Sequence, residues 1–225
     1  MTQPASVPSE GPPNCAEQLA ALGLRLGYLH DALRGGEEAR RLMTRNDPRN
    51  ASGTVDYFRR MRVLRERLIS EEAWRRTEVN QLPLVVNPDK TLAIGVLLGD
   101  YRTGWIGPYH PRSKRPIGEG KLKLVSQNQQ LALIPRPVEP GDIALEDEDL
   151  AKIHTWFFMT YRRVFNGVVR VSSELSLPAE VDPRNYVEKW ARRIPLPDLE
   201  FEGVIPYIEG TDDGPDEYDV QVDEK

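Results

Sequence analysis

The sequence predicts an α+β fold, with an N-terminal helical pair, an antiparallel β-sheet ending in a β-hairpin, and an acidic, disordered C-terminal tail. Three observations carry this expectation. Leu19, Leu22, Leu26, Leu29 and Leu33 recur at alternating spacings of three and four, and Tyr57, Met61, Leu64 and Leu68 repeat the pattern, giving two helical seams. After Trp156 a bulky aromatic arm meets Asn166-Gly167, then Val169, Val171, Leu175 and Leu177 alternate with Arg170, Ser172, Glu174 and Ser176. Asn-Gly supplies the two positive-φ residues of a tight hairpin turn, and the alternation marks a sheet with one wet face. Finally, Glu209, Asp212, Asp213, Asp216, Glu217, Asp219, Asp223 and Glu224 fall together with no base among them, a composition that stays solvated.

Residues 1–13 are rich in Pro, Ser and Gly and are expected to be disordered. Asn14 is a helix N-cap with Glu17 three residues on, and Gly35-Gly36 is expected to end that helix, giving 14–34. A second helix is expected over 54–76. Residues 14–80 thus form a helical pair, whose stripes cover the chain's own sheet or dock a protein partner or a second copy. Residues 81–208 form the sheet domain, compact with the helices. Leu84–Val86 and Leu92–Leu98 read as buried strands around Asn87-Pro88-Asp89-Lys90, a turn composition. Gly99–Gly120 is loop material.

Leu122–Val125 and Leu131–Ile134 read as a further strand pair about Ser126–Gln130, with a helix over the first half as the alternative. Pro135–Gly141 is a connector, and Asp147–Lys152 an acidic helix start. Tyr186–Ile194 reads as helical, with Trp190 and Ile194 on one face and Pro195-Leu196-Pro197 as the stop. The tail occupies 209–225.

Composition narrows the function classes. At 225 residues the chain has enough length for a core, with 39% hydrophobic and 29% charged residues. The net charge is −5, but the tail's eight acids account for it, and the rest of the chain is mildly basic. One cysteine, Cys15, excludes an intramolecular disulfide framework and a thiolate metal cluster. No apolar run approaches a membrane span and the first residues lack a secretory pattern, so a soluble, cytoplasmic protein is expected. Asn50-Ala51-Ser52 matches a glycosylation sequon, which without such a pattern is coincidence. Arginine outnumbers lysine, as in GC-rich bacterial genomes.

The candidate binding segment is the Asp100–Lys123 stretch. Arg102, Arg112, Lys114, Arg115, Lys121 and Lys123 are interleaved with Tyr101, Trp105, Tyr109 and His110. Cations that meet phosphates beside rings that stack on bases are what single-stranded nucleic acid binding requires. The competing reading is a solvated Pro-rich loop whose rings pack back on the sheet. Arg59, Arg60, Arg62, Arg65 and Arg67 form a second cationic group that could lie along a phosphate backbone or an acidic partner groove, with a solvated helical face partly neutralised by Glu66, Glu71 and Glu72 as the favoured reading.

A metal-dependent nuclease of the PD-(D/E)xK type would use Asp89 or Asp100 with Glu119 and Lys121 on a neighbouring strand. Its carboxylates would hold Mg²⁺, and its lysine would position the attacking water. Only under that reading is a cofactor implied. His30, His110 and His154 have no paired metal spacing, and no phosphate loop, nucleophile elbow or dinucleotide fingerprint is present.

The leading expectation is a non-catalytic interaction or regulatory subunit of a larger bacterial assembly, of the kind carried by mobile elements or their defence cargo. A nucleic-acid-binding module using the aromatic and basic loop is the alternative, and the nuclease is the third.

Overall fold

The structure, a computed structural model, describes residues 14–133, 152–165 and 167–202. The expected disorder at 1–13, the connector at 135–141, most of the acidic helix start at 147–152 and the acidic tail lie outside the described residues. The elements run α1 (Cys15–Ala20), α2 (Leu26–Arg41), α3 (Ala51–Glu72), β1 (Arg75–Val79), β2 (Leu82–Val86), β3 (Leu92–Leu98), α4 (Glu119–Leu133), β4 (His154–Phe165), β5 (Val168–Val181) and β6 (Val187–Phe201).

The fold is α+β, and its six strands lie in sequence order across one sheet. The sheet is mixed rather than purely antiparallel. β3 and β4 run parallel from Leu92↔His154 to Leu98↔Thr160, and every other neighbouring pair is antiparallel. A parallel pair needs a crossover, and the chain between β3 and β4 carries α4.

Layering explains the apolar runs. Leu19, Leu29, Leu33, Met61, Leu64 and Leu68 of α1–α3 pack with Ile94, Val96, Trp156, Phe158 and Leu175 on one face of the sheet. Leu124 and Val125 of α4 pack with Leu84, Leu97, Phe157, Met159 and Trp190 on the other. Strands covered on both faces have no wet side, so β3 and the first half of β4 read as near-continuous hydrophobic sequence. The leucines and methionine of the two helical seams pack mostly into this chain's own core, with Leu22, Leu26 and Tyr57 only partly buried.

Several element boundaries differ from expectation. The first helix breaks at Gly23 (φ +69°), so α1 and α2 are separate. Gly35-Gly36 does not stop α2, which continues to Arg41. These glycines let α3 approach closely: a Cβ on Gly36 would meet Arg60 Cγ and Nε at 2.7 Å. The second helix spans 51–72, and 75–79 is a strand. Residues 122–133 lie within α4, in place of the expected strand pair.

Residues 186–194 belong to β6 and its approach, not to a helix. Pro195 and Pro197 are accommodated because β6 is an edge strand, where a missing N–H costs no ladder bond. The β5–β6 register skips Ala191 between Trp190 and Arg192, so Trp190 and Ile194 reach opposite faces of the sheet.

The hairpin stands where expected, with Phe165 paired to Val168 and Gly167 at φ +76°. Asn166 lies outside the described residues. The polar face of β5 is not wet, however. Ser172, Glu174 and Ser176 are buried; the 99–118 loop reaches Ser172 and Glu174, and α4 also lies against β5.

Candidate functional site

The 99–118 loop is held at its two ends by backbone bonds to the sheet and to the β5–β6 turn. Gly99 N–H donates to Thr160 O (3.0 Å), Lys114 N–H to Leu98 O (2.8 Å), Ser113 N–H to Val187 O (2.9 Å) and Ile117 N–H to Asn185 O (2.7 Å). Asp100 shapes the first turn: its Oδ1 accepts the Arg102 N–H and its carbonyl accepts the Thr103 N–H, each at 3.0 Å. A side chain that turns its own backbone in this way has a local structural role.

Glu174 sits at the centre of the attachment. Fully buried on β5, it takes Arg193 bidentately, Nε to Oε1 at 3.0 Å and Nη2 to Oε2 at 2.6 Å. Its Oε2 also accepts the Gly104 N–H at 2.8 Å, and Ser176 Oγ donates to Oε1 at 2.6 Å. Arg193 Nη2 then reaches the Trp105 carbonyl at 3.0 Å. A buried carboxylate is tolerated when its charge is paired and its lone pairs are filled, as here.

Above this anchor lies an exposed aromatic platform. Tyr101 is 65%, Ile106 63%, Tyr109 61% and Trp105 45% exposed. Trp105 and Tyr109 stack with centroids 6.1 Å apart and planes 13° from parallel. The Arg102 guanidinium lies 5.1 Å from the Tyr101 centroid and 5.6 Å from that of Tyr109. His110 is exposed beside them. These rings stay at the surface rather than folding back against the sheet, and together with Ile106 they form an exposed apolar patch.

The other expected binding residues part company with this platform. Arg112 is committed to the fold: its guanidinium stacks 3.7 Å from the Tyr186 centroid and pairs with Asp182. For Asp182 burial pushes the carboxyl up, but the N–H groups of Tyr186 and Arg184, together with Arg112, outweigh it and leave the group below its ordinary range. Lys114 and Arg115 are half-buried, Lys121 is buried in α4, and Lys123 is exposed on α4.

The nuclease set is scattered. Asp89 and Asp100 flank opposite ends of β3, roughly 20 Å apart at strand rise. Glu119 and Lys121 lie in the first turn of α4, whereas the pattern requires a strand. β2 and β3 carry no carboxylate. Among the described residues, no three His, Cys, Asp or Glu side chains converge as a metal site would need.

The arginines of α3 do not form one solvated face. Arg65 donates to the carbonyls of Thr77 and Leu84, and Arg62 pairs with Glu66 at the surface. Arg60 is buried. Its Nε pairs with Asp56 Oδ1 at 2.6 Å, and its Nη1 donates to Thr160 Oγ1. Burial lowers the Arg60 pKa and the adjacent Asp56 charge opposes that fall.

Around it, Arg40 lies 3.1 Å from Asp56, while Arg162 (2.9 Å) and Arg41 (3.7 Å) take Glu37. Arg40, Asp56, Arg60, Thr160 and Arg162 line a small cleft at the carboxyl end of β3, beside the middle of β4, together with Leu98, Gly99, Lys114 and Tyr161. Sequence reasoning missed this cluster because Asp56 and Arg60 have the spacing of an ordinary surface ion pair.

No family model, curated protein or solved structure matches this chain. No helix among the described residues is long and apolar enough to cross a membrane.

Proposed function

We propose that this chain is a non-catalytic module that binds single-stranded nucleic acid, with Tyr101, Trp105 and Tyr109 as the base-stacking surface and Arg102 as its adjoining cation. The supporting observation is the exposed Trp105–Tyr109 stack, presented on a loop that the buried Glu174–Arg193 pair pins to the sheet. Rings ordered before binding lose little entropy when a base stacks on them.

A second reading, a subunit of a larger bacterial assembly, draws on Ile106 within the platform and on exposed Val164 and Phe165 at the hairpin tip. A titration of labelled single-stranded oligonucleotides at several salt concentrations separates the two. A nucleic-acid module binds more weakly as salt rises, with a linear log–log slope. Absence of binding at low salt would favour the assembly reading.

A further inference from the structure

We propose that this chain forms a two-fold homodimer through the outer edge of β1 and the adjoining flank of α3, independently of the single-strand reading above. Among the described residues β1 has one neighbour, β2. The two strands join through Asn80 and Gln81, both at positive φ, with Val79 opposite Leu82. In such a two-residue turn the flanking residues exchange both backbone bonds, and the ladder alternates from there. Arg75 and Thr77 therefore bond inward to β2, while Arg76 and Glu78 hold their N–H and C=O towards the open edge. An edge of this kind is a template for another strand.

Charge selects the occupant. Val79 packs in the α4 layer, so alternation along β1 puts the exposed Arg76 and Glu78 on the opposite, α3 face. Glu78 lies 3.9 Å from Arg65 of α3 there. A second β1 laid antiparallel, with the two-fold axis at Thr77, sets Arg76 opposite the partner's Glu78 and Glu78 opposite the partner's Arg76. Charges often blunt an edge, but opposite signs two residues apart match a reversed copy. The helix repeats the relation. Phe58, Arg62, Glu66 and Ile69 recur at spacings of four, four and three, all exposed, on the flank of α3 away from Gly35 and Gly36. Reversed about its middle, this stripe brings Phe58 towards the partner's Ile69 and extends the Arg62–Glu66 pair into a four-charge network. One axis serves both surfaces, because Arg65, at mid-stripe, donates to Thr77 O at 2.7 Å. Two surfaces self-complementary about a single axis are what a second copy of this chain requires.

Sedimentation equilibrium of the full chain over a dilution series tests this, with circular dichroism confirming that each variant is folded. The parent should reach twice the chain mass. Arg76→Glu and Glu78→Arg each place like charges opposite one another across the axis, and each should raise the dimer dissociation constant by about tenfold or more. An equimolar mixture of the two variants pairs four acids with four or more bases in register, and it should recover the parent's dimer. Phe58→Ser with Ile69→Ser, at exposed positions outside the core, gives a second check should a charge variant fold poorly, and it should weaken the dimer too. A parent that keeps the single-chain mass at every concentration overturns the proposal. So does a dimer that both charge variants retain, which places the contact elsewhere, or a mixture that stays at the single-chain mass, which contradicts the register.

Discussion

Glu174 Oε2 accepts the Gly104 N–H at 2.8 Å, joining residues 70 positions apart and fixing the tip of the aromatic loop to a fully buried carboxylate. Because Arg193 pairs with the same oxygen, loss of the Glu174 charge leaves a mostly buried guanidinium without its counterion. Glu174→Gln is therefore expected to destabilise by on the order of 3–5 kcal/mol. Urea unfolding measures it, and an increase in acrylamide quenching under native conditions would show the loop loosened around Trp105.

Two positive-φ glycines make a controlled comparison. Gly167 (φ +76°) sits at the hairpin tip, where an added Cβ would meet nothing within 4 Å, whereas at Gly104 (φ +77°) the Cβ would lie 3.2 Å from Ser173 O. Gly167→Val should cost about 1–2 kcal/mol, through backbone strain alone. Gly104→Val should cost more, because contact with sheet backbone adds to the same strain, and it should also weaken oligonucleotide binding. Equal losses for the two variants would contradict this account of the loop.

The helical seams are internal, and their members are unequal. Leu29 is fully buried, while Leu26, at the first turn of α2, is only partly so. Leu29→Ala should cost about 2–5 kcal/mol and Leu26→Ala distinctly less, with the oligomeric state unchanged in both. Chemical denaturation with light scattering checks both halves of the statement.

Acid should destabilise the fold through its imidazoles. Burial pulls His30 and His154 below the ordinary 6.5, although Pro197 O pulls His30 the other way. A base depressed in the folded state binds its proton more readily when unfolded. Its contribution is complete above about pH 6.5 and diminishes as pH falls towards the lowered folded values. The urea midpoint should drop between pH 8 and pH 5.5, and His30→Gln with His154→Gln should flatten that drop. A flat parent profile would contradict the assignment.

The features that were readable from sequence share a local cause. Asn166-Gly167 and the period-two pattern after it need only adjacent residues to specify a hairpin, and the leucine seams need only the 3.6-residue period. The parallel β3–β4 pair depends on residues about 60 positions apart, although the unbroken apolar run through Trp156–Met159 was a legible sign of burial on both faces. β6 was obscured because Pro195 and Pro197 read as a helix stop, and only the sheet's edge makes them acceptable. The loop's aromatic residues were legible as a group. Arg112 was counted with them because its partners, Asp182 and Tyr186, lie 70 or more residues away. Glu174 looked like one polar residue on a wet face, and only the loop above it reveals a buried anchor.

The most direct test of the central claim is the affinity of the parent and of Trp105→Ala for one single-stranded oligonucleotide, measured at two salt concentrations. Stacking releases no counterions, whereas phosphate contacts do, at about 0.7 in slope per contact on single strands. The account predicts that Trp105→Ala loses about 1–3 kcal/mol of binding at both salt concentrations while the salt slope stays that of the parent. Parent-like affinity in Trp105→Ala, or no binding by the parent at low salt, would contradict it.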